Sequence, residues 1–163
     1  MNSKTNQPLR ANAADLASID GIVDAIYEVI SFPPGGRPDW ERDRTLFIPS
    51  AQLTPAKIET GSVVTPMSVE EFIVWAEQYF EREGFYATGF QEIDVSRVTE
   101  RYGHIAHVFS TYETRLTAND PTPLKRGINS IQLIWDQDRW WVANIIWDME
   151  SADNPIPDRY LNT

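Results

Sequence analysis

The chain contains no cysteine, which removes disulfides, thiolate nucleophiles and cysteine-ligated metal sites at once. Histidine is nearly as scarce, with two residues in 163. Both of them, His104 and His107, fall in one extended stretch where they face opposite sides and cannot form a metal pair. Basic residues are short as well: 14 Lys and Arg against 24 Asp and Glu leave a formal net charge of −10, spread along the chain. No Lys/Arg cluster builds the basic face that nucleic acid requires, and the same deficit disfavours an anionic membrane surface. No apolar run approaches the ~20 residues of a membrane span, and the N-terminal MNSKTNQPLR is polar, without a signal-peptide core. The expectation is a soluble cytoplasmic protein with no metal and no cofactor, binding neither nucleic acid nor membrane. A chain of this length forms one domain that can bury its own core.

What the chain does have is aromatic mass near its C-terminus. Four of its six tryptophans, Trp135, Trp140, Trp141 and Trp147, lie in RGINSIQLIWDQDRWWVANIIWDME (Arg126–Glu150). This stretch reads as a β-hairpin whose two faces both carry apolar and small polar residues, as expected when neither face meets bulk water. One face is expected to cover the interior and the other a second copy of the chain. Asn129, Ser130, Gln132 and Asn144 stand out, because buried polar side chains must find partners.

The rest of the chain divides by its periodicity. Residues 1–11 read as a flexible leader and 12–161 as a single domain. Asn12 as cap and Asp15 in the first turn start a helix. Its apolar stripe is Ile19, Ile22, Val23, Ile26, Tyr27 and Ile30, and Phe32-Pro33-Pro34-Gly35-Gly36 stops it. A short helical turn over Asp39–Arg44 carries Trp40 inward, before an extended segment Thr45–Leu53. Ser68 and Glu71 form a capping box for a second long helix. Val69, Phe72, Ile73, Ala76 and Phe80 make its core face, Trp75 and Tyr79 lie alongside, and Gly84 closes it. Strands are then expected over Tyr86–Thr99, Tyr102–Thr117, Gly127–Trp135 and Trp140–Met149, with a loop at Ala118–Lys125.

Helices followed by an antiparallel meander define an α+β domain, with the helices packed on one face of a curved sheet. This order, with the stretches HVFSTYETR (His107–Arg115), Arg126–Asp148 and IPDRYL (Ile156–Leu161), resembles the nuclear transport factor 2-like superfamily, and within it a largely uncharacterised bacterial group. The resemblance covers about Ala13 to Leu161. It implies a cystatin-like cone, and a homodimer joined through the convex sheet face. Members include steroid isomerases, dehydratases, polyketide cyclases and non-catalytic association domains, so the fold does not choose the function.

Hairpin arithmetic assigns faces to the side chains. With Gln137 and Asp138 as the turn, Ser130, Gln132, Trp141, Ile145 and Trp147 share one face. Asn129, Ile131, Leu133, Trp135, Trp140, Val142, Asn144 and Ile146 share the other. The resemblance places Trp147 in the cone, so Ser130 and Gln132 are expected there too, unless a bulge reverses the faces. Ser110 and Tyr112 join them if Ser110 aligns with Gln132. Alternatively, Ser110 and Gln132 satisfy each other while Tyr112 packs as core. The candidate ligand-binding set is therefore Trp75, Tyr79, Ser110, Tyr112, Ser130, Gln132 and Trp147. No carboxylate is evident at the cone positions where acid–base members carry one. His107 reads as either a general base or a structural histidine at the dimer face, and Glu113 with Arg115 as an ion pair. The function expected is binding of a small hydrophobic or aromatic molecule in a mostly apolar pocket. The alternatives are an isomerase, dehydratase or cyclase acting on such a molecule, and a non-catalytic interaction module.

Overall fold

The computed structural model describes residues 11–56 and 63–161. The expected leader lies outside the described residues except for Ala11, which packs on the core. Asn12 accepts a hydrogen bond from the Ala14 amide and opens α1 (Ala13–Leu16). The helix does not continue into the apolar stripe, because Ser18 accepts from the Gly21 amide and starts α2 (Ile19–Ile30) anew. Gly21 is required at this joint, since a Cβ would overlap the Ala14 carbonyl oxygen. Asp39 caps α3 (Trp40–Arg44). From α3, Arg42 grips Asp15 and Glu28 while Arg44 grips Glu70, so the short helix ties its neighbours together.

The Ser68–Glu71 capping box is present at the start of α4 (Val69–Glu83), and Gly84 ends it in the left-handed region. The chain does not enter a strand at Tyr86. It makes one more helical turn, α5 (Phe85–Thr88), before the sheet begins.

Five strands form one sheet: β1 (Phe47–Pro55), β2 (Gln91–Tyr102), β3 (Ile105–Arg115), β4 (Lys125–Asp136) and β5 (Arg139–Met149). Their order is β1-β5-β4-β3-β2. The four expected strands are antiparallel neighbours, while the Thr45–Leu53 segment supplies a fifth, β1, parallel to β5. The main core lies between α2 and the concave sheet face, where Ile22, Val23, Val108, Ile131 and Val142 are fully buried. A smaller aromatic core of Phe32, Phe80, Phe85 and Phe90 joins α4 and α5 to the start of β2. No helix among the described residues is long and apolar enough to cross a membrane.

The hairpin arithmetic holds from the turn through Leu133 and fails at the next pair. Asp136 pairs with Arg139, Ile134 with Trp141 and Leu133 with Val142 as expected, but Gln132 pairs with Asn144 in place of Ala143. Ala143 is left without a partner. This bulge shifts every later pair by one residue, so Asn129, and not Ile128, stands opposite Trp147. The faces therefore interchange along β4. Asn129, Ile131, Leu133 and Trp135 look inward, whereas Ser130 and Gln132 look outward. In the single chain the convex face is open, with Ile105 58%, Ile134 39% and Ile146 43% exposed.

Candidate functional site

The concave face and α4 enclose a cavity of about 370 Å³, within the range of small-molecule sites. Helical spacing explains the α4 wall: Phe72, Trp75, Ala76, Tyr79 and Phe80 recur on one side of the helix and all line the cavity. Trp75 and Tyr79 stack at 5.9 Å with 6° between their planes. Trp147 enters from β5 and meets Phe72 edge-on at 6.0 Å and Trp75 at 6.1 Å. Ile26 and Ile30 of α2, Leu53 of β1 and Ile145 of β5 complete the apolar wall.

Of the seven expected site residues, Trp75, Tyr79, Tyr112 and Trp147 line this one cavity. Ser110 is fully buried on the same concave face, opposite Asn129, but is spent on internal bonds. Two of the seven are corrected. Ser130 and Gln132 lie on the convex face because of the Ala143 bulge, where Ser130 Oγ is 2.9 Å from His107 Nε2 and Gln132 is exposed. The alignment expected for Ser110 changes with them: Ser110 faces Asn129, and His107 faces Gln132. His107 thus stands outside the cone, bonded to Ser130. Glu113 and Arg115 form the expected ion pair.

The expectation that no carboxylate reaches the cone is also overturned. Glu92 of β2 lines the cavity, as does Asp43 of α3. Burial raises the Glu92 carboxyl from its ordinary 4.5 to about 7, and a hydrogen bond from Asn129 offsets only part of this. Burial likewise raises Asp43 to about 7; Arg44 opposes the shift, while Glu70 and Asp39 add to it. Asp43 Oδ2 is buried with no hydrogen-bond partner among the described residues.

A directed chain of hydrogen bonds starts at Asn129, the amide that acts on Glu92. Asn129 Nδ2 donates to Tyr27 Oη at 3.0 Å. Tyr27 then gives its hydroxyl proton to Ser110 Oγ at 2.6 Å, because Ser110 Oγ itself donates to Asp94 Oδ2 at 2.5 Å. Arg97 closes the chain by pairing with Asp94, Asp20 and Asp24, which fastens β2 to α2. Desolvation and the nearby Glu92 hold the Tyr27 and Tyr112 hydroxyls in the protonated form. Tyr112 is 5% exposed and lines the cavity. Gly127 makes room for it, since a Cβ there would overlap Tyr112 Oη and the Asp148 carbonyl oxygen. The cavity therefore has an aromatic wall and a polar group of Glu92, Asn129 and Tyr112, with Asp43 and Asp148 as further acids on its lining.

Sequence patterning had a partial signal for Glu92. In QEIDV, Glu92 and Asp94 flank Ile93, so both acids share a face. Which face becomes concave depends on pairing with β3, where Glu92 meets Thr114 and Asp94 meets Tyr112, and on the bulge that leaves Val95 unpaired.

No protein-family model and no curated protein matches the chain. Solved structures do. A nuclear transport factor 2-like protein of unknown function from Silicibacter pomeroyi superposes with a TM-score of 0.56 at 13% identity, covering 82% of this chain and 94% of its own. One with a cystatin-like fold from Novosphingobium aromaticivorans gives 0.54 at 12% identity, covering 77% of each chain. A candidate ketosteroid isomerase from Parabacteroides distasonis gives 0.53 at 13% identity, covering 90% and 98%. At such identities the likeness establishes the architecture alone.

Proposed function

We propose that this chain, whose fold is the nuclear transport factor 2-like, cystatin-like α+β cone, binds a small, largely apolar or aromatic molecule with one polar group. The observation that carries this reading is the combination within one cavity of about 370 Å³ of an aromatic wall and a near-neutral carboxyl, Glu92. A cavity that served only as packing space would not carry on its wall a buried carboxylate oxygen, Asp43 Oδ2, with no hydrogen-bond partner among the described residues. The polar group offers an acceptor or donor in Glu92 and a donor in Tyr112, enough to orient one carbonyl, hydroxyl or amine. Titrating the protein with the fluorescent apolar amine phenylnaphthylamine tests the reading. Saturable binding that Trp147→Ala and Glu92→Gln both weaken is expected, and no saturable binding would overturn it.

A second reading, proton transfer on the bound molecule, is favoured by the position of the Glu92 titration. A carboxyl near 7 exchanges a proton with little bias at neutral pH, as a general acid or base requires. Protein-dependent deuterium exchange at a carbon next to a ligand carbonyl, lost in Glu92→Gln, is the expected signature of an isomerase-type activity.

The convex face is proposed as a homodimer interface of a cytoplasmic protein. Ile105, Ile134 and Ile146 are exposed there on neighbouring strands, and this isoleucine surface would be covered by its counterpart on a second copy. Light scattering is expected to give twice the chain mass, and Ile134→Lys to return it to the monomer.

A further inference from the structure

The cavity is lined by the acids Asp43, Glu92 and Asp148 and by two cations. Lys125 and Arg82 both line it and are exposed, which places them at its mouth. Both sit against Tyr79: the Lys125 ammonium is 5.2 Å from the ring centroid and 3.2 Å from its hydroxyl, and the Arg82 guanidinium is 5.6 Å from the centroid. Most inter-element arginines here are neutralised by acids, Arg42 by Asp15 and Glu28, Arg44 by Glu70, and Arg126 by Glu150. Lys125 has no carboxylate partner among the described residues. Arg82 engages its neighbour Glu83 through Nε alone. On a chain with a formal charge of −10, a cation left unpaired at a cavity mouth is available to an anion from outside.

Asn129 lies deeper, four residues from Lys125 on β4 and about 13 Å along the strand. Glu92 pairs with Thr114, which itself pairs with Lys125, so it stands level with Lys125 two strands across the sheet, about 10 Å away at the usual strand spacing. The rings of Tyr79, Trp75 and Trp147 line the same cavity, with Trp147 level with Asn129. We infer that the ligand is an aromatic organic acid, its anionic group held at the mouth by Lys125 and Arg82 and its far end giving a hydrogen bond to the Glu92–Asn129 pair. This rests on the cavity being a ligand site, and adds the chemical class and the orientation. A neutral hydrocarbon would leave the mouth cations unused, and a cation would be repelled there.

Two dyes that differ only in one acidic group test this: anilinonaphthalene sulfonate and its uncharged parent, phenylnaphthylamine. Both carry the same rings and the same N–H. Competition between them identifies a shared site. The sulfonate is expected to bind about five- to tenfold more tightly, as one or two charge-assisted contacts would give. That advantage should vanish in the double variant Lys125→Gln/Arg82→Gln and shrink with added salt, while phenylnaphthylamine binding stays unchanged. Equal affinity of two mutually competing dyes, indifferent to the double variant, would overturn the anion assignment and leave the cavity as a neutral-ligand site. Failure of both to bind, or binding without mutual competition, would overturn the cavity reading itself. Folding of the variant is checked independently by its phenylnaphthylamine affinity.

Discussion

Asn129 stands directly opposite Trp147 across the β4–β5 ladder, and both side chains line the cavity. The indole supplies ring contacts to Phe72 and Trp75, while the amide connects Glu92 to Tyr27. One cross-strand pair thus joins the apolar wall to the polar group. Truncating either residue should have a different consequence.

Trp147→Ala removes a partly buried ring from the seam between α4 and the sheet. It is expected to cost about 2–4 kcal/mol, somewhat below a fully buried tryptophan. Denaturant melts measure the loss, and the enlarged cavity should accept a bulkier apolar dye. An unchanged melt would mean that the Phe72–Trp75–Trp147 cluster contributes nothing to the packing of α4.

Gly127→Ala drives a methyl group into Tyr112 Oη and the Asp148 carbonyl oxygen. Overpacking of this kind is expected to destabilise by about 1–3 kcal/mol. Removing the hydroxyl in a Gly127→Ala/Tyr112→Phe pair relieves one of the two overlaps, so the double variant should be more stable than the sum of the single effects. Additive effects in the cycle would separate Gly127 from the Tyr112 hydroxyl.

The start of α4 was legible in the sequence because a cap is a local event, whereas the restart at Ser18 and the extra turn α5 were not. Ser68 and Glu71 lie three residues apart, and both bonds of the box form, at 3.2 and 2.8 Å. The hairpin register was legible only near its turn, where Asp136 and Arg139 are held together by the chain itself. The Ala143 bulge is a backbone irregularity coordinated with β1, whose own register shifts between Phe47 and Gln52 against the same stretch of β5. That parallel contact is non-local, and nothing in the residues around Ala143 announces it. Ser130 and Gln132 were consequently assigned to the cone in place of Asn129. Glu92 was missed for a related reason, since the side of β2 that turns inward is decided by β3.

Ser68→Ala deletes the acceptor for the Glu71 amide and frees the reciprocal carboxylate. A loss of about 1 kcal/mol is expected, without effect on dye binding in the cavity. A larger change in binding than in stability would mean that the start of α4 is coupled to the site.

Asp43→Asn should reveal a pH dependence. The native carboxyl titrates near 7 and its unfolded counterpart near 3.8. Between these values the native state holds a proton that the unfolded state has released, so this group makes stability fall as pH rises through the window. The variant should match the wild type near pH ~4 and exceed it above about pH 7, by on the order of a few kcal/mol. A constant difference across the window, from chemical denaturation at each pH, would mean that Asp43 is not held protonated.

A cone with a carboxyl group built for a ligand should show it in an isotope-edited NMR titration of the Glu92 side chain, with and without phenylnaphthylamine. A midpoint near 7 is expected in the free protein, with a clear displacement of that midpoint when the dye is bound. A midpoint at the ordinary 4.5, indifferent to a dye that demonstrably binds, would contradict it.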